Sequence, residues 1–394
     1  MWAVTAMTTL LVISLPATAL EAPPKETCPQ DKTLLARAIQ LHQSGAVKEA
    51  ISAYRQYLDL CPDQPQIRSN LGAALAHVGR YDEAVVEYEK ALASDQANAA
   101  ILMNLAIALY KAERLSDAAR ELEKIHKLQP QNRNALMLLA DCHLRRDHNK
   151  QVIELIAPIE KENPEDLALA YMLGTAYIRD GQYAKGGVFI DRILRKENSA
   201  EALVLMGEAR QGVHDNIRAV EDFARAAELK PELPGVHTLH GLALLEIDDR
   251  AAAEKAFREA LIHDPNDFEA SRQLGILAKL HGRHEEALSL LERAQRLQPG
   301  ALDVSYEIAT LMITLGRTDD ALAMLQSIIE KAPAFLEAHV SLATLYYRIG
   351  RREDGNRERE IVRKIREERR LQKERQTASA GAESAQTAEE TERK

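Results

Sequence analysis

Cysteine, tryptophan and aromatic residues in general are scarce in this sequence: three Cys, one Trp and 4% Phe, Trp and Tyr together in 394 residues. So small an aromatic share fits contacts between helices filled by Ala and Leu. Net positive charge is lacking as well. The 51 Lys and Arg stand against 60 Asp and Glu, leaving −9 at pH 7, which argues against a general phosphate-binding surface and against nucleic acid as a partner. The chain has no Gly-rich phosphate loop, no HExxH and no Ser in a strand–turn–helix elbow. Twelve histidines do not make up for this. His237 with His240 and His281 with His284 stand at i and i+3, but zinc asks for three or four ligands, and no Cys or His cluster supplies the rest. Paired carboxylates read as solvated helix faces. No catalytic residue, metal or cofactor is expected.

What the chain has in abundance is repetition. The stretch 65–98, PQIRSNLGAALAHVGRYDEAVVEYEKALASDQAN, recurs in variant form about every 34 residues from Asp31 almost to the end. Its apolar and small residues fall at helical spacing in two runs, Ile67 to Ala76 and Glu83 to Ala93, which predicts two short helices joined by one tight turn. Gly79 stands where the first helix stops, and Asp82 where a side chain could cap the second. Leu71, Gly72 and Leu75 are expected to face Ala84, Tyr88 and Ala91. At the place of Gly72 the successive units carry Ala38, Gly72, Ala106, Ala140, Gly174, Gly207, Gly241, Gly275, Ala309 and Ala343. Gly inside a helix costs about 1 kcal/mol relative to Ala, so the repeated glycines need a packing reason. The place of Ala84 is likewise small, four residues before a bulky place that holds Tyr54, Tyr88, Leu122, Ile156, Ile190, Phe223, Phe257, Leu291 and Leu325. Proline closes seven units, from Pro62 to Pro333.

This period, with Leu-Gly, then Tyr or Leu, then Ala, an aromatic and Pro, resembles the tetratricopeptide repeat family over about residues 31–369. The family's early Trp is absent, Arg68 standing at its place, and the unit 167–199 is one residue short. The resemblance implies an all-α, right-handed superhelical solenoid of about ten helix–turn–helix hairpins. The units are 31–64, 65–98, 99–132, 133–166, 167–199, 200–233, 234–267, 268–301 and 302–335. A terminal unit and charged capping helix, 336–376, follow, and the small polar tail 377–394 is expected to be disordered.

The first 20 residues, MWAVTAMTTLLVISLPATAL, carry no charged side chain and end in Ala17-Thr18-Ala19. This reads as a secretory leader, residues 1–19, cleaved after Ala19, with 20–30 as an extended lead-in. A periplasmic or secreted protein without a stable membrane span is the expectation; a membrane anchor is the competing reading, although Pro16 interrupts a run shorter than a span. Cys28 and Cys61 bracket the first hairpin, whose antiparallel helices bring entrance and exit to one end. A disulfide there would be worth roughly 3–4 kcal/mol in an exported chain; the alternative is two free thiols in a reducing compartment. Cys142 reads as a small buried residue.

The resemblance places partner contacts on the first helices of the hairpins. Asn70 and Asn104 occupy equivalent places and resemble the start of the asparagine ladder that holds a peptide backbone in some members. Leu138, Met172, Leu205 and Leu239 then interrupt it. The family's two-carboxylate clamp is also missing, because Leu35 and Ile39 stand at its first places. Met137, Tyr171, Met172, Ile178, Leu205, Leu239 and Leu242 form either an apolar groove for an amphipathic or extended segment or part of the packing within the stack. The function expected is a non-catalytic scaffold or adaptor of a bacterial cell envelope that binds protein or peptide segments; the alternative is a recognition module of a polymer (polysaccharide) synthesis or export system. Self-association stays open.

Overall fold

The structure, a computed structural model, describes residues 32–392, with side chains from Thr33 to Glu374. Every regular element among them is a helix, and the chain divides into two compact units, one up to Leu233 and one from Pro234. The first unit holds α1 (Lys32–Gln43), α2 (Val47–Leu60), α3 (Pro65–His77), α4 (Tyr81–Leu92), α5 (Ala99–Lys111), α6 (Leu115–Leu128), α7 (Arg133–Arg145), α8 (Asn149–Glu162), α9 (Leu167–Arg179), α10 (Tyr183–Leu194), α11 (Ala200–Gly212) and α12 (Asn216–Leu229). The second holds α13 (Val236–Glu246), α14 (Arg250–His263), α15 (Phe268–Leu280), α16 (His284–Leu297), α17 (Leu302–Thr314), α18 (Thr318–Lys331), α19 (Leu336–Arg348) and α20 (Arg352–Glu392). Consecutive helices pair into hairpins, α1 with α2 through α19 with α20. None of the described helices is long and apolar enough to cross a membrane.

The small and bulky places meet across every Gly-bearing hairpin. A Cβ added to Gly72 would stand 2.8 Å from the Tyr88 ring; at Gly207 it would stand 2.7 Å from Phe223 and at Gly241 2.6 Å from Phe257. Gly174 and Gly275 meet the aliphatic Ile190 and Leu291 in the same way. The opposing side chains Tyr88, Ile190, Phe223, Phe257 and Leu291 are fully buried. Where the place holds Ala instead, the partner is an aliphatic chain in three units, Leu122, Ile156 and Leu325, with Tyr54 the exception. Three of the four rings at the bulky place, Tyr88, Phe223 and Phe257, thus stand opposite a glycine.

The turn between the helices demands a left-handed residue in every hairpin. Gly45, Gly79, Gly181, Gly282, Gly316 and Gly350 supply it in six, and Glu113, Asp147, His214 and Asp248 adopt it in the other four. At Gly79 the bonds Gly79 N to Ala76 O (3.1 Å) and Arg80 N to Leu75 O (2.9 Å) close the end of α3. That closure starts α4 at Tyr81, so Asp82 lies inside its first turn and does not cap it; the carboxylate there still suits the helix dipole. Side-chain caps stand before first helices at Asn98, Asn132, Asp166, Ser199 and Asp267, and before one second helix at Asp249.

One further expectation differs from the structure. Helix α20 does not end near residue 376 but runs to Glu392; its Ala, Glu, Gln and Arg content favours helix, and no proline interrupts it. Cys61 is disulfide-bonded and Cys142 is a buried free thiol, pushed up to about 12 by burial; Cys28 and the leader lie outside the described residues.

Between α11 and α12, Asp222 stands 2.6 Å from Arg210 with its side chain only 5% exposed. Burial outweighs the opposing effects of Arg210 and Arg225 and pushes the carboxyl up to about 6.

Three outcomes follow for urea unfolding monitored by circular dichroism. Gly207→Leu lowers stability by roughly 1–3 kcal/mol, and Gly207→Ala is less damaging when combined with Phe223→Leu, which recreates the pairing of the Ala-bearing units. His214→Gly, at an exposed left-handed turn position (φ 62°), raises stability by about 1 kcal/mol; an unchanged midpoint would refute the strain. Because Asp222 is held above its unfolded range, its contribution is full below about pH 4 and is lost as pH rises through about 6. The fall in stability attributable to this group across that window disappears in Asp222→Asn.

Candidate functional site

The closing of each hairpin by its small and bulky places turns the opposite side of the first helices away from the second. The repeat register puts Asn70 on that side of α3 and Asn104 on that side of α5, and both are half-buried. Among the described residues neither amide makes a hydrogen bond, so each presents a donor and an acceptor. Met103 and Ile107 lie beside Asn104 on α5, packed against the core yet partly exposed. Leu35 and Ile39, at the clamp places, belong to the same apolar cluster.

Further along the first unit the expected apolar groove is a buried seam. Met137 and Met172 lie in one core cluster, and Tyr171, Ile178 and Leu205 in another. Their exposure is between 1% and 8%. The reading in which these residues pack within the fold describes them here; a glutamate at Met172 or Leu205 would face that packing. Leu239 and Leu242, on α13 of the second unit, are half-buried. The other inner positions of that unit are polar and satisfied: Lys279 bonds Glu307 at 2.8 Å and Thr310 at 2.5 Å, and Gln273 bonds Glu269 at 2.8 Å.

Sequence reasoning passed over a charged group inside the apolar seam. Tyr110 Oη donates to Asp141 Oδ2 at 2.5 Å, and the Arg145 guanidinium lies 5.2 Å above the Tyr110 ring while pairing with Glu113. Arg179 donates to the Leu144 carbonyl at 3.1 Å. Burial raises the Asp141 carboxyl against the opposing effects of Tyr110, Arg145 and Arg179. Burial also raises Glu208, against Arg179. The Tyr171 hydroxyl is pushed up first by burial and then by Glu201, Glu208 and Asp141, with Arg179 opposing, so these groups share one neighbourhood. A lone carboxylate within the run Ala135–Leu144 was the available signal.

His237 stacks on His263 with ring centroids 4.9 Å apart, and His281 approaches Glu254 at 3.4 Å. Among the described residues no three His, Cys, Asp or Glu side chains gather as a metal site. Two open clefts lie between hairpins, one lined by Leu92, Leu105, Arg114 and Asp117, the other by Leu302, Met312, Arg317 and Asp320. In both, the Arg is paired to the Asp.

Comparison with protein families matches tetratricopeptide repeats at residues 75–142, 278–342 and 238–301, a TPR repeat at 40–79, and anaphase-promoting complex, cyclosome, subunit 3 at 111–193. BBSome complex member bbs-4 of Caenorhabditis elegans is 25% identical over 140 residues, 35% of this chain and 30% of that protein. BBSome complex member BBS4 of Bos taurus is 25% identical over 141 residues, 36% of this chain and 27% of that protein. The similarity thus spans less than a third of either relative. Among solved structures, the Cut9–Hcn1 hetero-tetramer of the APC/C aligns over 84% of this chain and 80% of its own at 11% identity and a TM-score of 0.46. MamA aligns over 42% of this chain and 97% of its own at 19% identity and a TM-score of 0.40. The repeat matches cover more than half of the sequence and coincide with the helical hairpins: the chain belongs to the tetratricopeptide repeat family.

Proposed function

We propose that this chain is a non-catalytic adaptor of a bacterial cell envelope or periplasm that binds extended protein segments on its first helices. The carrying observation is the pair of half-buried amides Asn70 and Asn104, without a hydrogen bond among the described residues, beside the half-buried Met103 and Ile107. An amide pair one repeat apart can accept from and donate to a peptide backbone, while the apolar neighbours take alternate side chains. Because the helices are already packed, little backbone entropy is lost on docking. The disulfide-bonded state of Cys61 supports an oxidising compartment, and the leader-like residues 1–19 support export. The relatives bbs-4 and BBS4 are named as members of a complex, which fits an assembly role.

The test is affinity capture with residues 20–394 from the source organism's envelope fraction, followed by mass spectrometry. A recurrent protein partner is expected, and Asn70→Ala with Asn104→Ala weakens its binding roughly tenfold, as loss of two hydrogen bonds implies. Undiminished binding by the double variant would sink the amide site. Recovery of the endogenous chain only from cytosol, with residues 1–19 attached, would sink the envelope reading.

A further inference from the structure

The charges of the first three hairpins are sorted by helix. Helices α1, α3 and α5 contain no Asp or Glu, whereas their partners α2, α4 and α6 contain two, four and three. A chain of net charge −9 thus keeps its acid off the helices that hold Asn70 and Asn104. The charge on α3 and α5 is Arg68, tied to Glu87 at 2.8 Å, and Lys111. Seven residues are two turns of helix, so Lys111 lies on the face of Asn104 and His77 on that of Asn70, each about 10.5 Å further along. Lys111 is exposed and, among the described residues, has neither a hydrogen bond nor an ion pair. A lysine at a helix C-terminus also suits the dipole, but the dipole does not clear acid from the first turn, where it would be favoured.

The spacing of the amides selects the backbone that can use both. Helices α3 and α5 touch, and packed helices lie about 8–10 Å apart. A helical ligand has its backbone N–H and C=O groups bonded internally and offers the amides side chains only. A β-strand returns to one face every two residues, at about 6.8 Å, and falls out of step with the hairpins. A polyproline II segment returns every three residues, at about 9.3 Å, and has no internal hydrogen bonds. Among these three regular conformations it is the one that sets an unbonded backbone group before each amide in turn. Met103 and Ile107, partly exposed beside Asn104, give its proline rings an apolar seat.

We propose that the segment bound across α3 and α5 is a polyproline II stretch with an acidic side chain at every third residue, its backbone on Asn70 and Asn104 and one carboxylate on Lys111. This rests on the reading of the two amides as a peptide site and adds the conformation and charge of what they hold. A basic segment would bring like charge to Lys111, and an uncharged one would leave the ammonium without a partner.

The test uses labelled synthetic peptides and the full chain, with binding read by fluorescence anisotropy. Five repeats of Pro-Pro-Glu are expected to bind saturably, about tenfold or more tighter than five of Pro-Pro-Gln, and five of Pro-Pro-Lys not to bind. Lys111→Glu, at an exposed position, removes that preference and admits the Pro-Pro-Lys peptide, a reversal that unfolding would not produce. Five repeats of Gly-Ser-Glu, with the same charge on a flexible backbone, bind about fivefold or more weakly than Pro-Pro-Glu. Equal binding of the Glu and Gln peptides, equal binding of the Pro-Pro-Glu and Gly-Ser-Glu peptides, or no saturable binding of Pro-Pro-Glu overturns the proposal. An envelope partner whose capture still depends on Asn70 and Asn104 alongside such a result leaves the adaptor reading standing and this inference refuted.

Discussion

The contact on which the rest of the structure depends is the one between a residue with little or no side chain on the first helix and a bulky one on the second. It sets how closely two helix backbones approach, and that distance is repeated in each Gly-bearing hairpin at 2.6–2.8 Å from a notional Cβ. Because the closest approach lies at one fixed place, the turn joining the helices has one length and one left-handed position. The cost of that position is accepted even where glycine is not available, at Glu113, Asp147, His214 and Asp248. The geometry of the packing thus outranks the local preference of the turn.

The same contact explains what could be read in the sequence. Gly72, Ala84 and Tyr88 are constrained by one interaction, so their equivalents recur and fix every hairpin without knowledge of any contact between hairpins. Asp82 misled because a capping side chain is a local device, and here backbone bonds from Gly79 and Arg80 close the turn first. The tail misled in the opposite direction. Its Thr, Ser and Ala residues suggested a lack of core, which is a statement about burial, whereas helix is set by bonding along the backbone, and α20 runs to Glu392.

Burial along the inner side was the least legible property. Asn70 and Leu138 occupy the same repeat place, and periodicity assigns them the same direction; one is half-buried with a free amide and the other is 5% exposed. Direction is encoded by the repeat, but whether something lies in that direction is not. Tyr110, Asp141 and Arg179 were missed for a related reason: each looks like an isolated polar residue in an apolar helix, and only the stacking of α5, α7 and α9 makes them neighbours.

The two units consequently offer different inner chemistry on the same scaffold. In the unit from Pro234, Lys279, Gln273 and Arg272 hold hydrogen bonds or ion pairs with Glu307, Thr310, Glu269 and Asp303, so a ligand there must exchange bonds already made and gains little from new ones. In the unit up to Leu233, Asn70 and Asn104 make no hydrogen bond among the described residues, so a ligand there gives up no bond within the protein to gain theirs. In the second, an apolar segment laid over Lys279 and Glu307 would strand one or the other without its partner.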